Sequence, residues 1–135
     1  MCDVSCYKAV MQAYGKALLE NDEHAMLRLF APGARVVSFL AGETSAPDFF
    51  KNLFANSRRT KLDIHHMFID VAPRATGALH LSFDAVWQEK ATLHIEAVDL
   101  FEFDAEYRIT SLRVVLDTYS FKALQERLKR EAIHA

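Results

Sequence analysis

The sequence predicts an α+β domain in which N-terminal helices pack on one face of a curved antiparallel sheet and a last helix follows the sheet. Apolar residues recur at helical spacing through most of the first 54 positions. From residue 62 to residue 116, apolar and polar residues mostly alternate, which is typical of strands. Helices gathered before a run of strands indicate an α+β arrangement rather than alternating α/β units.

One apolar stripe predicts the first helix, and its members are Val4, Tyr7, Met11, Tyr14 and Leu18. Asn21 and Asp22 break this stripe and offer an N-cap to a short second helix. The second helix would turn Met26 and Phe30 inward, together with Ala25 and Leu29, and the Ala-Pro-Gly of residues 31–33 would stop it.

Residues 35–40, Arg-Val-Val-Ser-Phe-Leu, predict a short strand before the third helix. Ser45 is the predicted cap of that helix, because a proline follows in the first turn and Asp48 suits the positive end of the helix dipole. The core face of this helix would carry Phe49, Phe50, Leu53 and Phe54.

Four strands and a last helix are expected after residue 61. The strands cover 62–71, 79–87, about 93–103 and 108–116, with turns at 73–77 and 88–90. Inward positions of the two central strands are Leu79, Leu81, Phe83, Ala85, Trp87, Leu93, Ile95, Ala97, Asp99, Phe101 and Phe103. Ser120 is the expected cap of an amphipathic last helix that buries Phe121, Leu124 and Leu128.

Length and composition favour a single globular domain over residues 1–135, since the chain has 51% hydrophobic and 25% charged residues. The net charge of -2 and the scattered basic residues argue against nucleic-acid binding. No apolar run is long enough for a membrane span, and the first residues show no secretory signal. We therefore expect a cytoplasmic protein without a membrane partner.

The sequence predicts neither a metal nor a cofactor. Its only cysteines, Cys2 and Cys6, have a spacing that puts both on one helix face. No second pair and no nearby histidine completes a tetrahedral set, so two N-terminal thiols are the simpler interpretation.

Asp99 is the most informative residue, because it falls in the inward, apolar row of its strand. A carboxylate there is costly when ionised, so it must be paired or held protonated with a raised pKa. A protonated carboxyl can donate a hydrogen bond to a developing oxyanion at neutral pH. An aspartate of that kind, with a tyrosine beside it, is the general pattern of the ketosteroid isomerase oxyanion hole.

Several stretches resemble bacterial ketosteroid isomerases and their SnoaL-like polyketide-cyclase relatives, in the nuclear-transport-factor-2-like superfamily. Residues 10–18 (Val-Met-Gln-Ala-Tyr-Gly-Lys-Ala-Leu), 21–22 and 29–31 are similar to their first two helices, and 97–103 and 109–113 to a strand pair. The likeness covers about residues 7–120. It implies a cone-shaped, curved antiparallel sheet with the N-terminal helices on its concave face, plus a C-terminal helix.

The resemblance assigns roles residue by residue. Tyr14 falls on the oxyanion-donating tyrosine of the isomerases, and Asp99 falls on their protonated aspartate. The position of the catalytic base is occupied by Ser38, which cannot abstract and return a proton as a carboxylate does. Phe54 falls near a supporting tyrosine of the isomerases and lacks its hydroxyl. The resemblance thus implies an electrophilic half-site without the usual base.

Two residues are candidates for the missing proton transfer. SnoaL-like cyclases and related epoxide hydrolases use a carboxylate near the end of the last strand, where this chain has Asp117. Asp117 would be the acid/base across the pocket from Asp99, or alternatively a cap for the last helix. His66 would face the pocket if Leu62, Ile64 and Phe68 mark the inner row of their strand.

Two functions remain open from the sequence. The first is an isomerase- or cyclase-like enzyme for a small apolar, oxygen-bearing compound, and the second is a non-catalytic hydrophobic-ligand-binding or dimerisation module. Phe83, Trp87 and Phe101 would contact the ligand, along with Ser38, Phe54 and His66. Apolar residues on the outer row of the sheet, and the habit of this superfamily, predict a homodimer through that face.

Overall fold

The computed structural model describes residues 4–39 and 41–134, and its helices and strands follow the expected order with one addition. The elements are α1 (Val4–Glu20), α2 (Glu23–Leu27), β1 (Phe30–Ser38), β2 (Gly42–Ser45), α3 (Ala46–Asn56), β3 (Ser57–Asp70), β4 (Thr76–Trp87), β5 (Ala91–Phe103), β6 (Ile109–Leu116) and α4 (Tyr119–His134). Strand β2 was not expected. Leu40, the predicted end of the first strand, lies outside the described residues.

All six strands form one curved, open sheet in the order β2-β1-β6-β5-β4-β3. Four of the five strand pairs are antiparallel, but β1 runs parallel to β6, so the sheet is mixed rather than wholly antiparallel. The parallel pair is possible because the chain between β1 and β6 is long enough for the crossover that parallel strands require. Helices and curved sheet together form the expected α+β cone.

Helix caps follow the sequence closely. The Asp22 carboxylate accepts a hydrogen bond from the Ala25 amide at 3.0 Å, and the Ser45 hydroxyl accepts one from the Asp48 amide at 3.3 Å. These bonds satisfy amides that have no partner within the first turn of a helix. Two of the three predicted N-caps, Asp22 and Ser45, are therefore confirmed.

Several boundaries differ from the prediction; the strand expected from residue 62, for example, begins at Ser57. Helix α2 ends at Leu27, and Phe30 is the first residue of β1, where it pairs with Ile109 of β6. Strand pairing with β6 thus replaces the expected last turn of the second helix. At the other end of the chain, α4 begins at Tyr119, so Ser120 lies inside the helix rather than at its cap.

Strand β3 contains two bulges that decide which side chains face the core. Arg59 pairs with Ala85 and Lys61 with Asp84, so Thr60 is an extra residue. In the same way, Ile64 pairs with Leu81 and His66 with His80, so His65 is an extra residue. Each extra residue reverses the alternation of inward and outward side chains along the strand.

The core lies between the helices and the inner face of the sheet, and the alternation of β5 is as predicted. Its buried side chains are Ile95, Ala97, Asp99, Phe101 and Phe103, and the intervening positions are more exposed. Among residues 4–39 and 41–134, no helix has the length and apolar character needed to cross a bilayer. Cys6 is disulfide-bonded, which corrects the expected free thiol, and Cys2 lies outside the described residues.

Candidate functional site

Tyr14 and Asp99 meet in the core, although 85 positions separate them in the sequence. The Tyr14 hydroxyl, on α1, donates a hydrogen bond of 2.6 Å to Oδ2 of Asp99, on β5. The tyrosine ring is held edge-on by Phe101 at 5.0 Å and by Phe50 at 6.4 Å between ring centroids. Both polar side chains are buried, with relative exposures of 2% and 3%.

Burial controls the protonation of this pair. It raises the pKa of the Asp99 carboxyl to about 7, and the hydrogen bond from Tyr14 lowers that pKa in part. Burial and the adjacent Asp99 also raise the pKa of Tyr14 well above its usual value, so its hydroxyl is neutral and donates. Asp99 can therefore hold or release a proton near neutral pH, in the range that suits a general acid or base.

The second oxygen of Asp99, Oδ1, is buried and has no hydrogen-bond partner among the described residues. Since Oδ2 already accepts from Tyr14, the proton of the neutral carboxyl belongs on Oδ1. Asp99 also lines an apolar cavity of about 60 Å³. A free acid oxygen at an apolar cavity can donate to a ligand oxygen when protonated and accept from a ligand when ionised.

Side chains from α1, α3, α4 and four strands line this cavity. The apolar ones are Leu18, Phe49, Leu53, Phe83, Ala85, Trp87, Leu93, Ile95, Ala97, Val114, Leu116 and Phe121. Phe121 of α4 closes the cavity by packing edge-on against Trp87, with ring centroids 5.8 Å apart. Phe83 and Trp87 are thus placed at the cavity, as the alternation of β4 predicts.

Arg59 also lines the cavity, although the alternation of the sequence does not predict it there. Its guanidinium is buried and lies 5.1 Å from the centroid of the Phe54 ring. Phe54 therefore supports Arg59 and is not itself among the cavity-lining residues. Phe101 likewise packs behind Tyr14 and does not line the cavity.

The bulge at Thr60 explains why the sequence pattern does not predict Arg59 at the cavity. Strict alternation back from Leu62 puts Arg58 inward and Arg59 outward, but the extra residue reverses the two. In the structure Arg58 is exposed and pairs with Glu89 at 2.8 Å, while Arg59 is buried. No local sequence signal marks this bulge.

The inward placement of His66 is wrong for the same reason. The bulge at His65 turns His66 and Phe68 to the outer face, where their rings stack 5.8 Å apart, and turns Met67 inward. His66 is exposed and its ring also stacks on His80 at 5.6 Å. It cannot reach the cavity from that side of the sheet.

The placement of Asp117 across the pocket from Asp99 is also wrong. Asp117 is exposed in the loop after β6, and its carboxylate accepts a hydrogen bond from the Tyr119 amide at 2.9 Å. This bond satisfies the first amide of α4, so the structure favours the capping interpretation. Asp117 is not among the residues that line the Tyr14 cavity.

Ser38 is buried at the end of β1, but it is outside the set of cavity-lining residues as well. Its hydroxyl accepts a hydrogen bond from the Ala41 amide at 3.3 Å and so holds the turn after the strand. The cavity therefore brings together three titratable groups, Tyr14, Asp99 and Arg59. Within the described parts of the chain, no three His, Cys, Asp or Glu side chains are arranged to hold a metal ion.

By sequence, the chain matches no protein-family model and no curated protein. Solved structures are similar in fold. An LEH-like epoxide hydrolase of M. tuberculosis has a TM-score of 0.72 and 15% identity, over 97% of this chain and 98% of that one. The epoxide hydrolase/cyclase-like enzyme SalBIII, which has a role in pyran ring formation in the polyether salinomycin, has a TM-score of 0.72 and 18% identity. The match covers 87% of this chain and 95% of that one.

A third similar structure is of a protein that is named after its fold. It is a nuclear-transport-factor-2-like protein of unknown function from Cytophaga hutchinsonii, with a TM-score of 0.65, 16% identity and coverage of 85% and 93%. At these identities the likeness concerns the fold alone. The order of helices and strands, the curved open sheet and these neighbours agree, and the chain has the fold of the nuclear-transport-factor-2-like superfamily.

Proposed function

We propose that the Tyr14–Asp99 pair is an oxyanion-stabilising acid site for an isomerase- or cyclase-like reaction of a small apolar, oxygen-bearing compound. The observation that carries this proposal is that Asp99 lines an apolar cavity and that its buried Oδ1 has no hydrogen-bond partner among the described residues. Protonated Asp99 donates from Oδ1 to the ligand oxygen as negative charge develops there. In a water-poor cavity such a fixed donor stabilises charge more strongly than water does.

Tyr14 acts through Asp99 in this proposal. Its hydroxyl donates to Oδ2 and thereby fixes the orientation of the carboxyl and leaves Oδ1 for the ligand. The likeness to epoxide hydrolase/cyclase-like enzymes supports a reaction in which an acid protonates or hydrogen-bonds a ligand oxygen. The apolar walls support a hydrocarbon body for the ligand.

A second candidate function is binding of a hydrophobic ligand without turnover. It is favoured because Asp99 is the one carboxyl among the described cavity residues, while Asp117 and His66 lie elsewhere and Ser38 does not line the cavity. Asp99 is then the only described cavity residue that can exchange a proton near neutral pH. The cavity therefore disfavours reactions that need a separate base. If the protein is an enzyme, the reaction best supported is one in which Asp99 alone donates a proton and takes it back.

Phenols test the acid site because their oxygen resembles a developing oxyanion more closely as the phenol becomes more acidic. We expect the affinity for substituted phenols at pH 6 to rise with their acidity, since Asp99 is largely protonated there. Asp99→Leu should lower the affinity for the most acidic phenol at least about tenfold, because one hydrogen bond to a charged group contributes about that factor to binding. Fluorescence of Trp87, the only tryptophan and a cavity residue, reports binding.

Asp84→Asn is the matched control for this titration, because Asp84 lies on the outer row of β4 and pairs with His94 there. It should leave the phenol affinities unchanged. The acid site would be contradicted if the affinity did not depend on phenol acidity and were equal in wild type and Asp99→Leu.

We also propose a homodimer through the outer face of the sheet. The strand register places Phe68, Ala78 and Leu100 side by side on that face. Phe68 is 60% exposed, Leu100 40% and Val115 47%, which is a large apolar surface for the solvated side of an antiparallel sheet. A second copy that covers this face would remove all three side chains from water.

Sedimentation tests the dimer. At micromolar concentration the wild type is expected to sediment as a dimer and Leu100→Glu as a monomer, because a buried charge without a partner opposes association. Val4→Glu is the control, since Val4 is also exposed but lies on α1. A wild-type monomer at that concentration would contradict the proposal.

A further inference from the structure

Arg59 is a buried cation, and its hydrogen-bond partners among the described residues are all neutral. Its Nε donates to the Leu18 carbonyl at 2.9 Å, and Nη1 donates to the Ser57 hydroxyl at 3.0 Å. Nη2 donates to the Ser57 carbonyl at 3.2 Å and to the side-chain oxygen of Asn21. The Arg59 side chain therefore joins the C-terminal end of α1 to the start of β3.

These bonds use four of the five N–H groups that a guanidinium carries, and the remaining one is on Nη1. No carboxylate of residues 4–39 or 41–134 lies within 4.0 Å of the Arg59 guanidinium. Its neighbour Arg58, by contrast, forms an ion pair with Glu89 in solvent. The charge of Arg59 is thus buried without a counter-ion in the part of the chain that the structure describes.

Such a charge is costly, and the α1 terminus offsets only part of the cost. The carbonyl end of a helix carries a partial negative charge that favours a nearby cation. Burial lowers the pKa of Arg59 to about 10, so the guanidinium still carries its charge at neutral pH. A buried cation without a carboxylate partner among the described residues is a ready binding group for an anion.

The position of Arg59 connects this charge to the ligand cavity. Arg59 and Asp99 both line that cavity, among apolar walls that include Phe83, Trp87 and Leu93. The cavity is small, with a volume of about 60 Å³, so it favours a compact ligand.

We infer that the cavity selects a small apolar carboxylate, whose negative group binds at the Arg59 guanidinium and whose hydrocarbon part contacts the aromatic wall. This inference deepens the proposed function and rests on it, since it takes the same cavity as the ligand site. In this inference Arg59 selects negatively charged ligands, in addition to joining α1 to β3. If Arg59 only joined α1 to β3, the affinity of the cavity for a ligand would not depend on the charge of the ligand.

The experiment compares butanoate with its neutral isostere butanamide, followed by Trp87 fluorescence at pH 6. In the wild type, butanoate should bind at least about tenfold more tightly than butanamide, the scale of one charge-assisted hydrogen bond. Arg59→Met should lose most of this preference. The matched control Arg58→Met, which removes the exposed neighbour, should keep it.

Equal or tighter binding of butanamide by the wild type would overturn the inference, and this comparison needs no variant to fold. A butanoate preference that persists in folded Arg59→Met, shown by near-ultraviolet circular dichroism, would overturn it too. The phenol titrations separate this outcome from failure of the acid site. If phenol affinity depends on Asp99 but butanoate shows no preference, the acid site stands and the carboxylate inference fails.

Discussion

Asp99→Asn is expected to gain stability relative to the wild type as the pH rises from 4 to 8, by roughly 4 kcal/mol in total, because the folded chain raises the pKa of Asp99 from 3.8 to about 7. Asparagine keeps a polar oxygen for the Tyr14 hydroxyl and has no proton to lose. The variant therefore isolates the ionisation of this one carboxyl.

The sign follows from proton binding. Between pH 3.8 and about 7, the folded chain keeps the Asp99 proton while the unfolded chain has lost it. The protonated carboxyl therefore contributes its full stability below the unfolded pKa, and this contribution is lost as the pH rises through the folded pKa. Chemical denaturation of wild type and variant at each pH measures the difference. A difference that stays constant from pH 4 to pH 8 would contradict a buried, titrating Asp99.

Phe50→Ala should cost about 3–5 kcal/mol of the free energy of unfolding, the range for removing a buried aromatic ring. The Phe50 side chain is fully buried, and its ring lies 5.0 Å from Phe49 and 5.4 Å from Phe30. It also packs edge-on against Tyr14. A cavity at this point removes contacts on several sides at once.

Urea denaturation measures this cost, and Tyr119→Ala is the control because Tyr119 is 76% exposed. The control should change stability by no more than about 0.5 kcal/mol. Since Phe50 also supports the Tyr14 ring, phenol affinity should fall in the folded variant as well. A cost below about 1 kcal/mol for Phe50→Ala would show that the surrounding rings close the gap.

Patterns that depend on regular geometry could be predicted from the sequence. The alternation of β5 placed Asp99 inward because that strand keeps an unbroken register with β4 along its length. The stripe of α1 placed Tyr14 on the buried face, since helix periodicity tolerates no insertions over this span. These two residues therefore met as expected, with their hydrogen bond as the consequence.

The rest could not be predicted because it depends on irregular geometry. Two extra residues in β3, Thr60 and His65, reverse the faces of Arg59 and His66, and bulges have no strong local signature. Asp117 lies in a turn of two residues between β6 and α4, where strand alternation no longer applies, and its carboxylate accepts from the Tyr119 amide there. Long-range pairing, as in the parallel β1–β6 contact, is likewise invisible to local patterns.

The most direct test of the acid site is an NMR titration of the side-chain carboxyl carbon of Asp99 in the folded chain. The structure predicts a midpoint near pH 7 in the wild type and a higher one in Tyr14→Phe, which lacks the hydrogen bond that lowers this pKa. A midpoint close to the ordinary value of 3.8 would mean that Asp99 is ionised at neutral pH and cannot act as the acid.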